Sequence, residues 1–230
     1  MTVNQIFVHL LIWPLIALLM GMPNTAWAEP LTTIRDNGDP SNRVDIVILG
    51  DGYTAPELAK YVSDVETAIN GFFAQPPFNE YQSYFNVHRV DVVSNESGAD
   101  HPERGEYKDT AFDATYSCAG IQRLICVNTS KANGVLFNST SSNQRDIVLV
   151  IVNDSEYGGS GGSIAVASTH PSVVELVLHE IGHSLGLSHA SSGANSDIMN
   201  ASLQIAPAIF YAFSATHWTQ LQSALPGANR

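Results

Sequence analysis

Histidine, glutamate and glycine residues near the carboxyl end of the chain stand at a spacing that can bind a metal ion. Residues 179–189 read His-Glu-Ile-Gly-His-Ser-Leu-Gly-Leu-Ser-His. On an α-helix, His179 and His183 lie on one face, so both imidazoles can bind one ion. His189 can reach that ion only if the helix ends, and Gly186 can adopt the left-handed conformation that ends helices. The spacing predicts a zinc ion bound by His179, His183 and His189.

Glu180 is placed to act on water rather than to bind the ion. Three neutral imidazoles leave a fourth zinc position for a water molecule, whose pKa the ion lowers. Glu180 can take the proton of that water and return it to a leaving amine. Met199, in Ser196-Asp-Ile-Met-Asn200, is expected in a turn beneath the metal as an apolar floor, with an ordinary core role as the alternative. His170 and His217 lie outside the motif and are expected in surface or capping roles.

The composition narrows the range of partners. The formal net charge of −12 should repel nucleic acid and anionic membranes, so a protein or peptide substrate is the expected partner of a monomeric enzyme. Cys118 and Cys126 stand close together, and a disulfide between them is expected outside the cytoplasm, with two free thiols as the alternative.

The first 28 residues have the pattern of a secretory signal peptide. They contain no Lys, Arg, Asp or Glu, and Ala26-Trp27-Ala28 is a small-x-small cleavage pattern. An uncleaved membrane anchor is the alternative, but the apolar run is short and Pro14 interrupts it. We expect cleavage after Ala28 and a secreted or periplasmic mature chain.

The hydrophobic pattern predicts an α/β (α+β) fold with a mixed twisted sheet. Glu29 to Asn42 is polar and predicted to be a mobile lead-in, and residues 94–145 are predicted to be a loop-rich surface insertion. The predicted strands cover residues 44–49, 85–93, 147–152 and 163–168, the last as a sheet edge that could pair with an extended substrate. The predicted helices cover residues 55–73, a metal-binding segment opened by Pro171 and Ser172 with Glu175, and residues 216–225 behind a Ser214 cap. The predicted domains are a signal peptide (1–28), a catalytic subdomain (29–189) and a small C-terminal subdomain with the Met-turn and the final helix (190–230), with the active-site cleft between the last two.

The order of elements and the segment from His179 to His189 resemble the metzincin clan of zinc peptidases. Several further segments resemble the IgA peptidase family of secreted bacterial metallopeptidases: Ile48-Leu-Gly-Asp-Gly-Tyr-Thr54, Pro77-Phe78, Phe85-Asn-Val with Ser97-Gly-Ala-Asp100, Asp109-Thr-Ala-Phe-Asp113 and Gly158-Gly-Ser-Gly-Gly162. Leu187-Ser-His189-Ala departs from that family, whose members often carry an acidic residue there, and is closer to the general metzincin pattern. The resemblance implies zinc, peptide hydrolysis and export. The alternative hypothesis is a zinc-stabilised binding module, an inactive peptidase-like adhesin.

Overall fold

A mixed β-sheet organises the part of the chain that the structure describes. The computed structural model describes residues 30–190, 197–200 and 213–224. The strands are β1 (Leu31–Arg35), β2 (Val44–Asp51), β3 (Phe85–Val90), β4 (Ile147–Val152), β5 (Gly159–Ser160) and β6 (Ala165–Ser168), and the helices are α1 (Leu58–Ala74), α2 (Thr129–Ser139), α3 (Val173–Ser184) and α4 (Ala215–Ala224). The strand order is β1-β3-β2-β4-β6-β5, with the inner four parallel and β1 and β5 antiparallel to their neighbours. The expected α/β architecture with a mixed sheet is confirmed.

The two faces of the sheet support two separate apolar clusters. Successive side chains of a strand point to opposite faces. On β2, Ile46 and Ile48 therefore join the cluster beneath α1 and α3, whereas Val47 and Leu49 join the cluster on the other face. This burial on both faces explains why β4 is a continuous apolar run and why residues 46–49 of β2 are all apolar.

Helices α1 and α3 cover the first face. α1 buries a stripe that recurs at helical spacing, including Tyr61, Val65 and Ile69. A β-carbon at Gly71 would lie 2.2 Å from Cγ2 of Val174 on α3, so the glycine allows the two helices to approach closely. α1 thereby supports the helix that carries His179 and His183. Within the described residues, no helix is long and apolar enough to cross a membrane.

The opposite face corrects the prediction of a surface insertion at residues 94–145. Phe112, Tyr116 and Ile125 from this region are buried in the second cluster, together with residues of α2. The carboxylate of Asp51, at the end of β2, accepts hydrogen bonds from the backbone N–H groups of Phe112 and Ala114. The segment is therefore the cover of this face of the sheet, and its loops depend on long-range contacts that local composition does not show.

Two further predictions about the sheet were wrong. The lead-in is not mobile where it is described, because β1 pairs with β3 and the Arg35 guanidinium lies 4.5 Å from the ring centroid of Phe73. Residues 163–168 are not an edge, since β6 lies between β4 and β5. The final helix and its cap are confirmed: the Ser214 hydroxyl accepts the His217 N–H at the start of α4. Ser172, by contrast, makes no side-chain cap bond at the start of α3.

Candidate metal centre

The metal-binding helix ends at the glycine that the sequence indicated. Gly186 has a φ of 87°, the left-handed conformation that glycine adopts without steric penalty. Its N–H donates to the His183 carbonyl (2.9 Å), and the Leu187 N–H donates to the Gly182 carbonyl (3.0 Å). These bonds satisfy the last carbonyls of α3. The chain then turns back, so that His189 lies beside the helix rather than farther along it.

The turn brings the three predicted histidine ligands together. Nε2 of His183 lies 3.2 Å from Nε2 of His179 and 3.2 Å from Nε2 of His189. Nδ1 of His179 lies 2.7 Å from the Ile198 carbonyl, and Nδ1 of His183 lies 2.9 Å from the Leu187 carbonyl. Because a carbonyl only accepts hydrogen bonds, these Nδ1 atoms carry the protons and the Nε2 lone pairs are left for another partner.

This donor set fits a tetrahedral metal ion. Unprotonated Nε2 atoms that face each other repel unless a cation lies between them. Zinc–nitrogen bonds of about 2.0–2.1 Å at tetrahedral angles place ligand nitrogens about 3.3 Å apart, and the observed separations of 3.2 Å match this value. The carbonyl acceptors behind His179 and His183 also match the pattern by which metal-binding imidazoles are oriented.

Burial keeps the imidazoles of His179 and His189 in the neutral form that binds metals. It lowers the pKa of His179 to about 4; the bond to Ile198 opposes this change, and the neighbouring His183 and His189 add to it. Burial also lowers the pKa of His189, with further lowering by His183 and Arg123. Both side chains are therefore neutral at physiological pH, which a metal ligand requires.

Glu180 lies next to the first histidine and is almost fully buried, with 7% of its surface exposed. Burial raises the pKa of its carboxyl to about 8, and the charge of Arg123 opposes this only in part. The backbone of the glycine-rich segment covers it: a β-carbon at Gly159 would lie 3.0 Å from Oε1, and one at Gly161 would lie 3.0 Å from Oε2. Without a metal ion this carboxyl is therefore mostly protonated at pH 7. A cation held by the neighbouring histidines would lower its pKa, and the ionised carboxylate could then act as a general base.

Met199 lies beneath the helix, in the turn where it was expected. Its side chain is fully buried, and a β-carbon at Gly182 would lie 2.5 Å from its Sδ. The Met199 carbonyl accepts the Ala190 N–H (2.8 Å), and the preceding carbonyl, of Ile198, orients His179. The turn therefore serves both as an apolar floor and as a support for one imidazole.

A buried, hydrogen-bonded Asp–His pair that sequence reasoning missed fixes this turn. Asp197 Oδ2 lies 2.9 Å from Nδ1 of His217 on α4, and its Oδ1 accepts the Met199 N–H (2.9 Å). Burial alone would raise the pKa of Asp197, but the hydrogen bonds from Met199 and Ser214 and the charge of His217 lower it below its usual range. The surface or capping role predicted for His217 is incomplete, because its side chain is also buried. Only the position of Asp197 before the Met-turn could have indicated the pair.

A cleft of about 450 Å³ opens above the histidines and Glu180. One wall is the glycine-rich segment 159–162, and the other carries Ile121, Arg123 and Leu124. The second wall was not predicted as part of the site. It belongs to the loop closed by Cys118 and Cys126, whose expected disulfide is present with a Cα–Cα distance of 5.7 Å.

The sheet edge beside the cleft is β5, not the predicted segment 163–168. Part of that edge is already paired within the chain: the Gly159 N–H donates to the Arg123 carbonyl (3.1 Å), and the Ile125 N–H donates to the Gly159 carbonyl (3.3 Å). An extended substrate therefore cannot pair with Gly159. The open part of the cleft lies between the glycine-rich segment and residues 121–124.

An α/β fold that presents this histidine set above a methionine turn is metzincin-like. A family model described as IgA Peptidase M64 matches residues 32–201, which is most of the chain. The chain therefore belongs to the IgA peptidase M64 family and is a metallopeptidase, a hydrolase of the zinc-dependent class that acts on peptide bonds.

Solved structures also resemble the chain. Archaemetzincin from Methanopyrus kandleri is 16% identical with a TM-score of 0.42, and the match covers 80% of this chain and 96% of that one. Metalloproteinase-II from Bacteroides fragilis is 14% identical with a TM-score of 0.45, and the match covers 80% of this chain and 53% of that one. No curated protein matches the chain.

Proposed function

We propose that this metallopeptidase is an exported, monomeric zinc-dependent endopeptidase in which His179, His183 and His189 bind the ion and Glu180 is the general base. The observation that carries the proposal is the convergence of three imidazole Nε2 atoms beside a buried carboxyl at the floor of an open cleft. Zinc, when bound, would supply Lewis acidity to a water molecule and to the scissile carbonyl.

Different residues of the chain bind the metal ion, transfer the proton and hold the peptide. Burial keeps the His179 imidazole neutral at physiological pH, so metal binding requires no loss of a proton from this side chain. Glu180 accepts a proton from the attacking water at a carboxylate oxygen and returns it to the leaving amine. The cleft walls hold an extended peptide above the histidines and exclude bulk water from the confined carboxyl, which strengthens electrostatic interactions there.

Two substitutions separate the base from the ligands. Glu180→Gln keeps nearly the same shape but cannot accept a proton, so zinc should stay bound while hydrolysis of a casein substrate falls by at least about 100-fold. His189→Ala removes a ligand, so zinc affinity and activity should fall together, and added zinc should restore part of the activity. His170→Ala is the control for loss of a histidine, since His170 lies outside the cleft lining and accepts the Ser172 N–H.

The results also distinguish a peptidase from the alternative, a zinc-stabilised binding module without activity. That alternative predicts about one zinc per chain and no hydrolysis by the wild type. Near-normal hydrolysis by Glu180→Gln, or full zinc retention by His189→Ala, would show that the base or the third ligand is elsewhere.

Export and domain organisation are part of the same proposal. The signal peptide at residues 1–28 lies outside the described residues, so we propose its cleavage from the sequence pattern alone. Mass spectrometry of exported protein should give a chain that begins at Glu29. The proposed boundary between residues 189 and 190 stays a prediction, and Met199, Phe213 and Leu221 beyond it pack into the same apolar cluster as α3.

A further inference from the structure

The wall of the cleft opposite the glycine-rich segment is a loop closed by a disulfide. We call residues 118–126 the cystine loop, since Cys118 and Cys126 are bonded to each other. Three of its residues, Ile121, Arg123 and Leu124, line the same cavity as the histidines and Glu180. Any peptide bound over the histidines must therefore lie against this loop.

The cystine loop is held rigidly against the sheet. The carbonyl of Arg123 accepts the Gly159 N–H, and the carbonyl of Ile125 accepts the Ser160 hydroxyl at 2.6 Å. The Cys118 N–H donates to the Leu124 carbonyl at 3.2 Å. These bonds fix the backbone on both sides of residue 123 before any substrate arrives. Such preorganisation reduces the entropy lost on binding, so a side chain on this loop can contribute to selectivity.

Arg123 brings a positive charge to the cleft. It is the only Lys or Arg among the described residues that line the cavity, in a chain whose formal net charge is −12. Ile121, 49% exposed, and Leu124 flank it with apolar surface.

This surface has the chemistry of a carboxylate subsite. A guanidinium binds a carboxylate through two parallel hydrogen bonds, and a lysine or amide does not reproduce that geometry. The apolar neighbours can contact the methylene groups of a Glu or Asp side chain. In an acidic protein, an anionic peptide would otherwise be repelled from the cleft.

We propose that Arg123 determines specificity for peptides that carry a carboxylate close to the scissile bond. This inference rests on the proposed peptidase function and adds the substrate class. The carboxylate can come from an acidic side chain within the peptide or from a free C-terminus, and the two sources are separated by the substrates chosen below.

The test uses four fluorescent peptides of otherwise identical sequence, three of them amidated at the C-terminus. The amidated peptides carry Glu, Gln or Lys next to the scissile bond, and the fourth carries Gln and a free C-terminus there. The variants are Arg123→Gln, Arg123→Lys and Arg123→Glu. Lys131→Gln is the control for loss of a cation. Lys131 lies on α2, outside the cleft lining, and pairs there with Asp113.

We measure kcat/KM for the wild type and each variant, and also Kd by fluorescence anisotropy with each change made in the zinc-loaded Glu180→Gln protein. The wild type should prefer a carboxylate peptide over the amidated Gln peptide by about tenfold, one well-formed charged contact. Arg123→Gln should abolish the preference, Arg123→Lys should retain part of it, and Arg123→Glu should favour the Lys peptide. Lys131→Gln should leave the preference unchanged.

The proposal is overturned if Arg123→Gln lowers kcat/KM and affinity equally for all four peptides, or if the preference survives it. Preference for the free C-terminus alone would assign the carboxylate to the peptide end. If the wild type cuts no peptide, the proposed function fails, and the Kd ratios alone decide whether Arg123 binds carboxylates. Thermal unfolding of each variant confirms that the proteins compared are folded.

Discussion

Replacement of Glu180 by glutamine in the metal-free protein tests the burial of the proposed catalytic carboxyl without any assay of activity. Glu180 is 7% exposed, and burial raises its pKa from 4.5 to about 8. Glutamine has nearly the same shape but never carries a charge. The variant should therefore gain stability relative to the wild type as the pH rises. At alkaline pH the wild type must either bury a charged carboxylate or keep the carboxyl protonated at a low proton concentration, and both cost free energy.

The sign and size of this stability difference follow from the linkage between proton binding and folding. The folded state binds the Glu180 proton more tightly than the unfolded state does. Proton binding by Glu180 therefore stabilises the folded wild type fully below about pH 4.5, and this contribution is lost as the pH rises through about 8. Each pKa unit corresponds to about 1.36 kcal/mol. Between pH 5.5 and pH 8, the free energy of unfolding of the variant should rise relative to the wild type by on the order of 3 kcal/mol.

The assay is urea unfolding of chelator-treated protein at the two pH values. The lower value stays above the sequence pI of about 4.8, where the protein would be least soluble. Glu66→Gln, on the exposed face of α1, removes one negative charge without changing a buried group and is the matched control. An equal difference between Glu180→Gln and the wild type at both pH values would refute the burial described here.

Three further predictions concern the supports of the site. Gly161→Ala should lower peptide hydrolysis at least tenfold, an order-of-magnitude expectation from displacement of groups in the proposed site, because a β-carbon there would lie 2.7 Å from Cδ2 of His183 and 3.0 Å from Oε2 of Glu180. Replacement of Cys118 and Cys126 by serine should lower the free energy of unfolding by about 2–3 kcal/mol, measured in urea, because the unfolded chain loses a short closed loop. His217→Ala should lower the free energy of unfolding by about 1–3 kcal/mol, since it leaves its buried carboxylate partner with fewer donors. The same variant should bind zinc more weakly in a competition assay with a chromogenic chelator. Unchanged zinc affinity would show that the Asp197–His217 pair does not support the turn whose Ile198 carbonyl orients His179.

The elements with strong local signals could be predicted from the sequence. β4 is a continuous apolar run, β2 contains the apolar run 46–49, and the stripe on α1 recurs at helical spacing, so these elements follow from the hydrophobic pattern. β1 could not be predicted in this way. Only Leu31 and Ile34 of its five residues are apolar and none is fully buried, so it becomes a strand only because β3 offers an unpaired edge.

In the site, too, some residues could be predicted from local spacing and others could not. The helix, its end at Gly186 and the return of His189 follow from spacing within eleven consecutive residues. Arg123 and His217 reach the site through contacts between segments far apart in the sequence, with Gly159 and Asp197 respectively. No periodic pattern reports such contacts, because they depend on how the elements pack together.

Anomalous X-ray scattering from crystals of the zinc-loaded protein, recorded on both sides of the zinc absorption edge, tests the central claim most directly. The account predicts one strong zinc peak per chain, about 2.0–2.1 Å from Nε2 of His179, His183 and His189. It also predicts that the carboxylate of Glu180 lies beside the ion without binding it. A peak at another position, a site without His189, or Glu180 as a direct ligand would contradict the account.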